Sequence, residues 1–264
     1  MTAVDPAGPD ALSLDRDGAT IAYTVHGTDT GRPPLLLTHG YGASAAMWAP
    51  NTAALSAGRQ VITWDITGHG HSSSPADPAR YSEAASVADM AAVLDACGVT
   101  RAVVGGLSLG GYLSLAFWLR HPSRVVALLL CDTGPGYRRD EPREQWNARA
   151  LARADRLDRD GAAALTDSPE TRGVPQDPRG LALAARGILT QHDGRVITSL
   201  PSIGVPALVV VGAQDKAFLG AAEYMAAHIP GASHLVIDGA GHAANMDQAT
   251  PFNLAVAGFL DSLA

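Results

Sequence analysis

The stretch Ala102-Val103-Val104-Gly105-Gly106-Leu107-Ser108-Leu109-Gly110-Gly111-Tyr112-Leu113-Ser114-Leu115-Ala116-Phe117-Trp118-Leu119-Arg120 decides the reading of the chain. Ala102 to Val104 is an apolar run of strand type, and Tyr112 to Arg120 is apolar nearly all round, as a buried helix is, until His121-Pro122 stops it. Between them Gly106-Leu107-Ser108-Leu109-Gly110 matches G-x-S-x-G. A strand that turns into a helix over so few residues strains the residue at the corner. The positions two before and two after it must lack side chains for strand and helix to approach. Gly106 and Gly110 meet that need and leave Ser108 at the corner, where the helix N-terminus aims N–H groups and a partial positive charge at an oxyanion. For the motif alone, the competing reading is a glycine-rich turn that happens to contain a serine.

Working outward, the flanking sequence alternates strand and helix. Leu35 to Thr38, Val61 to Trp64, Val125 to Cys131, Ala207 to Val211 and His234 to Ile237 read as strands; Ser86 to Ala96, Ala221 to His228 and Pro251 to Leu263 read as helices. Such alternation predicts an α/β fold, a mostly parallel twisted sheet flanked by helices. Ahead of it, Ala11 to Leu14 and Ile21 to Val25 form an antiparallel hairpin about the turn Asp15-Arg16-Asp17-Gly18. From Gly134 to Pro201 Pro, Gly, Asp and Arg become frequent and apolar strands vanish, while Glu144 to Leu157 and Leu181 to Leu189 keep helical patterns. The expected organisation is a core of residues 1–133 and 202–264 with a helical cap inserted at 134–201.

A serine hydroxyl is a poor nucleophile at neutral pH, so Ser108 needs a base and a group to orient that base. Val209-Val210-Val211-Gly212-Ala213-Gln214-Asp215 puts an acid just past the C-terminal end of a buried strand, where sites form in open α/β sheets. Ile237-Asp238-Gly239-Ala240-Gly241-His242 puts a histidine at the same place after the next strand. Ser108 is assigned as nucleophile, His242 as general base and Asp215 as the orienting acid. Singly, Asp215 reads as a turn residue and His242 as a loop residue; it is the concurrence of three positions that carries the assignment. Asp132, ending the strand after the nucleophile's helix, is the alternative acid. The backbone N–H groups of Tyr41 and Leu109 are the expected oxyanion donors, Tyr41 lying in the small-residue loop His39-Gly40-Tyr41-Gly42. His39 reads as a structural histidine. Tyr137, Trp146, Phe218 and Ala243, with Tyr41 and Leu109, are the candidate pocket walls, and Trp146 could equally serve only to pack the cap.

These motifs resemble those of the α/β-hydrolase superfamily over almost the full length. The resemblance runs from His39-Gly40-Tyr41-Gly42 through Asp65-Ile66-Thr67-Gly68-His69-Gly70-His71-Ser72 and the G-x-S-x-G turn to Gly239-Ala240-Gly241-His242. It implies the chain order Ser, Asp, His for the catalytic residues, a mainly structural role for Asp65 to Ser72, and a helical cap after the sixth strand. Similar proteins that open epoxides or remove halides carry a carboxylate at the elbow, so Ser108 implies acyl transfer. A serine hydrolase acting on a small carboxylic ester or lactone is expected. C–C bond hydrolysis, perhydrolysis, a lyase reaction and a non-catalytic ligand receptor remain as alternatives.

Composition narrows the field further. The 264 residues are 47% hydrophobic and 17% charged with a net charge of −7, the balance of a folded globular chain with no basic surface for nucleic acid. No apolar run is long enough to cross a membrane, and the polar N-terminus MTAVDPAGPD has no secretory pattern, so a cytoplasmic protein is expected. Cys97 and Cys131 have no ligand-like spacing and the nine histidines form no helical pair, so neither metal nor cofactor is expected. Gly40-Tyr41-Gly42-Ala43-Ser44-Ala45, followed by Asp65, also fits a dinucleotide-binding pattern, but the preceding hairpin and His39 fit the hydrolase better. Oligomeric state has no signature in the sequence.

Overall fold

The computed structural model describes residues 11–165 and 168–263; the polar stretch at residues 1–10 and two positions of the expected cap lie outside them. Among the described residues eight strands form one sheet in the order β1-β2-β4-β3-β5-β6-β7-β8. They are β1 (Ala11–Arg16), β2 (Ala19–His26), β3 (Leu35–Thr38), β4 (Val61–Trp64), β5 (Ala102–Leu107), β6 (Val125–Cys131), β7 (Ala207–Gly212) and β8 (Ser233–Ile237). β2 pairs antiparallel with β1 and with β4; every other pairing is parallel. The helices are α1 (Ala49–Leu55), α2 (Glu83–Ala96), α3 (Leu109–Arg120), α4 (Asp140–Asp160), α5 (Pro178–Gly187), α6 (Arg195–Ser199), α7 (Leu219–His228), α8 (Ala244–Asp247) and α9 (Ala249–Asp261).

The strands from β3 to β7 are apolar on both faces because helices cover both faces. One core joins Val87, Met90, Leu113, Phe117 and Met225 from α2, α3 and α7 to the sheet, and a second joins Leu55, Phe252 and Val256 from α1 and α9 to its other side. α4, α5 and α6 all fall between β6 and β7, and α4 and α5 share a small core of their own made by Ala154, Leu157, Leu181, Ala182 and Ala185.

Several boundaries differ from the sequence expectation for physical reasons. The hairpin turn is only Asp17-Gly18, both at positive φ, because Asp15 and Arg16 stay in register opposite Thr20 and Ala19. Their polar side chains have partners there: Thr20 Oγ1 donates to Asp15, and Arg16 reaches the buried Asp89 of α2. α3 starts at Leu109, three residues before the expected start, since packing overrides the low helix propensity of Gly110 and Gly111. α4 is longer at both ends, with Asp140 and Glu141 favouring its first turn and Gly161 closing it at φ 55°. α5 begins at Pro178, where the Asp177 side chain caps the Arg179 N–H. The short helices α1, α6 and α8 had no sequence expectation.

Candidate active site

Ser108 occupies the corner between β5 and α3 with φ 55° and ψ −115°, a conformation a residue with a side chain adopts only under constraint. The constraint is visible. Its N–H donates to Cys131 O at 2.9 Å, and its carbonyl accepts from Thr133 Oγ1 at 2.5 Å and from Tyr112 N at 3.1 Å. The flanking glycines make the turn possible: a Cβ on Gly106 would lie 2.5 Å from Gly110 C and from Thr38 O, and one on Gly110 would lie 2.2 Å from Thr38 O. Ser108 precedes the first turn of α3, whose leading N–H groups have no acceptor within the helix.

The other two assigned residues meet beside it. His242 Nδ1–H donates to Asp215 Oδ2 at 2.7 Å, which leaves Nε2 as the free face of the imidazole. Asp215 is only 6% exposed, and its carbonyl receives the Phe218 N–H, which holds the loop after β7 in a tight turn. Burial alone would lower the basicity of His242, but the hydrogen bond and charge of Asp215 outweigh it and hold the imidazole above its ordinary range. The Phe218 ring stacks on the imidazole with centroids 5.0 Å apart and fixes the ring plane.

Asp132, the alternative acid, occupies a different position. It is fully buried, at φ 45°; Oδ1 accepts from Gly212 N at 2.8 Å and Oδ2 from Ala244 N at 3.3 Å. Gly212 ends the strand leading to Asp215, and Ala244 follows His242 by two residues. Asp132 thus ties together the bases of both loops. Burial pushes its carboxyl up to about 7.

The loop after β3 carries Tyr41. His39 beneath it is wholly buried: Nδ1–H donates to Gly40 O at 2.7 Å and Nε2 accepts from Ile66 N at 3.0 Å, and burial holds it below its ordinary range. Both ring nitrogens are thus engaged by backbone. Asp65 braces the next loop, accepting from Ala45 N at 2.6 Å and His71 N at 2.7 Å, so its carboxylate is engaged where a dinucleotide ribose would need it free. The Tyr41 hydroxyl reaches out of the core and donates to Leu181 O of α5 at 2.7 Å.

Ser108 opens on a two-lobed cavity. The inner lobe, about 160 Å³, is walled by Leu109, Tyr112, Tyr137, Trp146, Leu189, Gln191 and Phe218. The outer lobe, about 420 Å³, holds Tyr41 and His242 together with Arg149, Arg153 and Glu170, and shares Ser108, Trp146, Leu189 and Phe218 with the inner. Of the pocket residues expected from sequence, Tyr41, Leu109, Tyr137, Trp146 and Phe218 face one lobe or the other. Ala243 faces neither: it is 4% exposed and its carbonyl receives the Met246 and Asp247 N–H groups at the start of α8. Trp146 both lines the cavity and packs, its Nε1–H donating to Leu189 O at 2.8 Å. Sequence reading passed over Tyr112, Leu189 and Gln191. Gln191 is 8% exposed and its Oε1 has no protein partner, a buried polar group aimed at the inner lobe. Among the described residues no group of three or more His, Cys, Asp or Glu is placed to hold a metal, and no helix is long and apolar enough to cross a membrane.

Known proteins carry the same arrangement of elements. The family model for the alpha/beta hydrolase fold matches residues 33–167. The chain belongs to that family. This α/β hydrolase is 31% identical to a Caulobacter segnis protein named as a RutD carbamate hydrolase, over 91% of this chain and 96% of the relative. Among solved structures, the enol-lactonase of Burkholderia xenovorans superposes with a TM-score of 0.76 at 30% identity, covering 95% of this chain and all of that one. A thermophilic esterase from Thermogutta terrifontis gives 0.81 at 27% identity over 96% and 98% of the two chains.

Proposed function

We propose that this α/β hydrolase is a cofactor-independent serine hydrolase that cleaves a small carboxylic ester or lactone through an acyl-enzyme on Ser108. The observation that carries the reading is the 2.7 Å bond from His242 to Asp215 at the wall of a cavity that also exposes Ser108 on its strained turn. His242, made more basic by Asp215, takes the proton of Ser108 as the hydroxyl attacks the carbonyl. The N–H groups of Tyr41 and Leu109 receive the oxyanion. The imidazolium then protonates the departing alcohol, and a water activated by the same histidine releases the acid.

The cavity orients the substrate. The leaving oxygen must come within reach of His242, which lines the outer lobe and not the inner, so the alcohol portion belongs outside and the acyl group inside. An apolar cavity of about 150 Å³ holds a benzene-sized group, which sets the scale of the acyl portion for an inner lobe of about 160 Å³. An enol-lactonase and an esterase among the related structures support ester and lactone chemistry.

Labelling with a fluorophosphonate tests the reading: wild type becomes covalently modified and Ser108→Ala does not. An unlabelled wild type would favour a ligand receptor. A panel of p-nitrophenyl esters of increasing chain length, with several lactones, then separates the chemistries. Turnover of none by a protein that labels at Ser108 moves the assignment to C–C hydrolysis, perhydrolysis or a lyase reaction.

A further inference from the structure

α4 carries five arginines, and their surroundings divide them into two groups. Arg143 pairs with Asp140, while Arg156 and Arg159 both pair with Asp160. Arg186 of α5 likewise holds Asp155 and Asp158. Among the described residues Arg149 and Arg153 have no carboxylate partner, and these are the two that line the outer lobe. Trp146, Arg149, Ala150 and Arg153 follow one another at spacings of three, one and three, which places them on one helix face above Ser108. The Arg153 guanidinium lies over the Tyr41 ring, 5.3 Å from its centroid, and is steadied there without losing its charge. Among the described residues, Glu170 is the one carboxylate the outer-lobe lining sets against the two cations. In a chain of net charge −7 the cavity mouth over the serine is therefore locally positive.

We propose that the outer lobe is an anion subsite in which Arg149 and Arg153 receive a carboxylate carried by the alcohol portion of the substrate. The inference rests on the assignment of Ser108 and His242 above, because His242 fixes the outer lobe as the leaving-group side. Its substrates are acidic esters, or lactones bearing a free carboxylate on the ring carbons next to the ring oxygen. Guanidinium groups suit this task through their paired N–H donors, and their exposure makes the attraction sensitive to salt.

The test compares three esters on the full chain: phenyl butyrate, 3-carboxyphenyl butyrate with the charge on the leaving group, and phenyl hydrogen glutarate with the charge on the acyl group. The expected result is a kcat/KM for 3-carboxyphenyl butyrate about tenfold or more above that for phenyl butyrate. That ratio should fall toward one at ionic strengths of about 1 M, where the screening length shrinks to roughly 3 Å. In the Arg149→Gln/Arg153→Gln double variant the ratio should collapse at low salt, whereas Arg159→Gln, on the same helix but off the cavity, should keep it. Equal rates for the first two esters, or a preference confined to phenyl hydrogen glutarate, overturns the subsite. Fluorophosphonate labelling of the same samples separates the two levels. A labelled enzyme without the preference sinks this inference alone, and an unlabelled, inactive protein sinks the hydrolase reading and the subsite with it.

Discussion

Asp132 and Asp215 are both carboxylates at the ends of neighbouring strands, and replacing each by Asn should have opposite signatures. In Asp215→Asn the partner of His242 Nδ1 loses its charge, so both the tautomer and the imidazolium lose support; a loss of about 10⁴-fold in kcat is expected. In Asp132→Asn the amide oxygen can still accept from Gly212 N, but the NH₂ group turns toward Ala244 N–H, and only the 3.3 Å bond is lost. The His242 loop is then less firmly placed, and displacements of about 1 Å cost roughly 10²-fold, so a loss of about tenfold to 10²-fold is expected. Stability distinguishes the residues further. The Asp132 carboxyl lies at about 7 in the folded chain against a usual 3.8, so the folded state holds a proton that the unfolded state has released. Its contribution is therefore fully present below about pH 4 and is lost as pH rises toward 7; between about pH 5 and 8 the loss amounts to about 3 kcal/mol. Urea unfolding at both pH values, with kcat on p-nitrophenyl butyrate, measures both effects. Asp132→Asn should remove that part of the pH slope. If Asp132→Asn instead abolishes turnover while Asp215→Asn keeps it, the orienting role belongs to Asp132 and not to Asp215.

Because Asp215 holds the His242 imidazole above its ordinary range, kcat/KM should rise with pH through an inflection above about 6.5, and Asp215→Asn should move the residual inflection down; a pH–rate series on both proteins reads this. Gly106→Ala places a methyl 2.5 Å from backbone atoms of Gly110 and Thr38, so thermal denaturation should show a loss of about 3 kcal/mol or more, or no folded protein. Asp89→Ala removes the close partner of the buried Arg80 and leaves it the exposed Asp17 at 3.6 Å, so chemical denaturation should report about 3 kcal/mol lost, with kcat of the folded fraction little changed because Asp89 lies on α2 away from the cavity lining.

The elbow was legible because its glycines are forced by close approach: no other side chain fits at 106 or 110, and such constraints survive in sequence. The places of Asp215 and His242 were legible because both follow apolar strands; which acid meets the histidine was less so, because Asp132 also ends a strand. α4 illustrates what was not. Its buried side chains are Ala150, Ala154 and Leu157, too small and sparse to declare which face looks inward, so nothing in the sequence marked Arg149 and Arg153 as cavity residues. The spacing of Trp146, Arg149, Ala150 and Arg153 was readable once one of them was placed over the site. Ala243 failed as a pocket wall for the complementary reason. Proximity in sequence to His242 says nothing about the direction of a side chain at the start of a new helix, and α8 turns this one inward.

The bond from Tyr41 to α5 has a consequence of its own. Its acceptor is the Leu181 carbonyl, a backbone atom, so no replacement of the side chain at 181 can erase it. The loop beside Ser108 therefore senses where α5 sits and is blind to which residues α5 is made of. An exposed side chain on that helix, such as Arg179, could be exchanged while the latch stayed shut, whereas the buried Leu181, Ala182, Ala184 and Ala185 set where the helix sits. A rigid tilt of the helix by about 1 Å would stretch a 2.7 Å bond past the working range of a hydrogen bond and release the tyrosine. Redesign around the site thus divides into two separable problems, the lining of the cavity and the seating of α5, and only the second is transmitted to the loop that holds Tyr41.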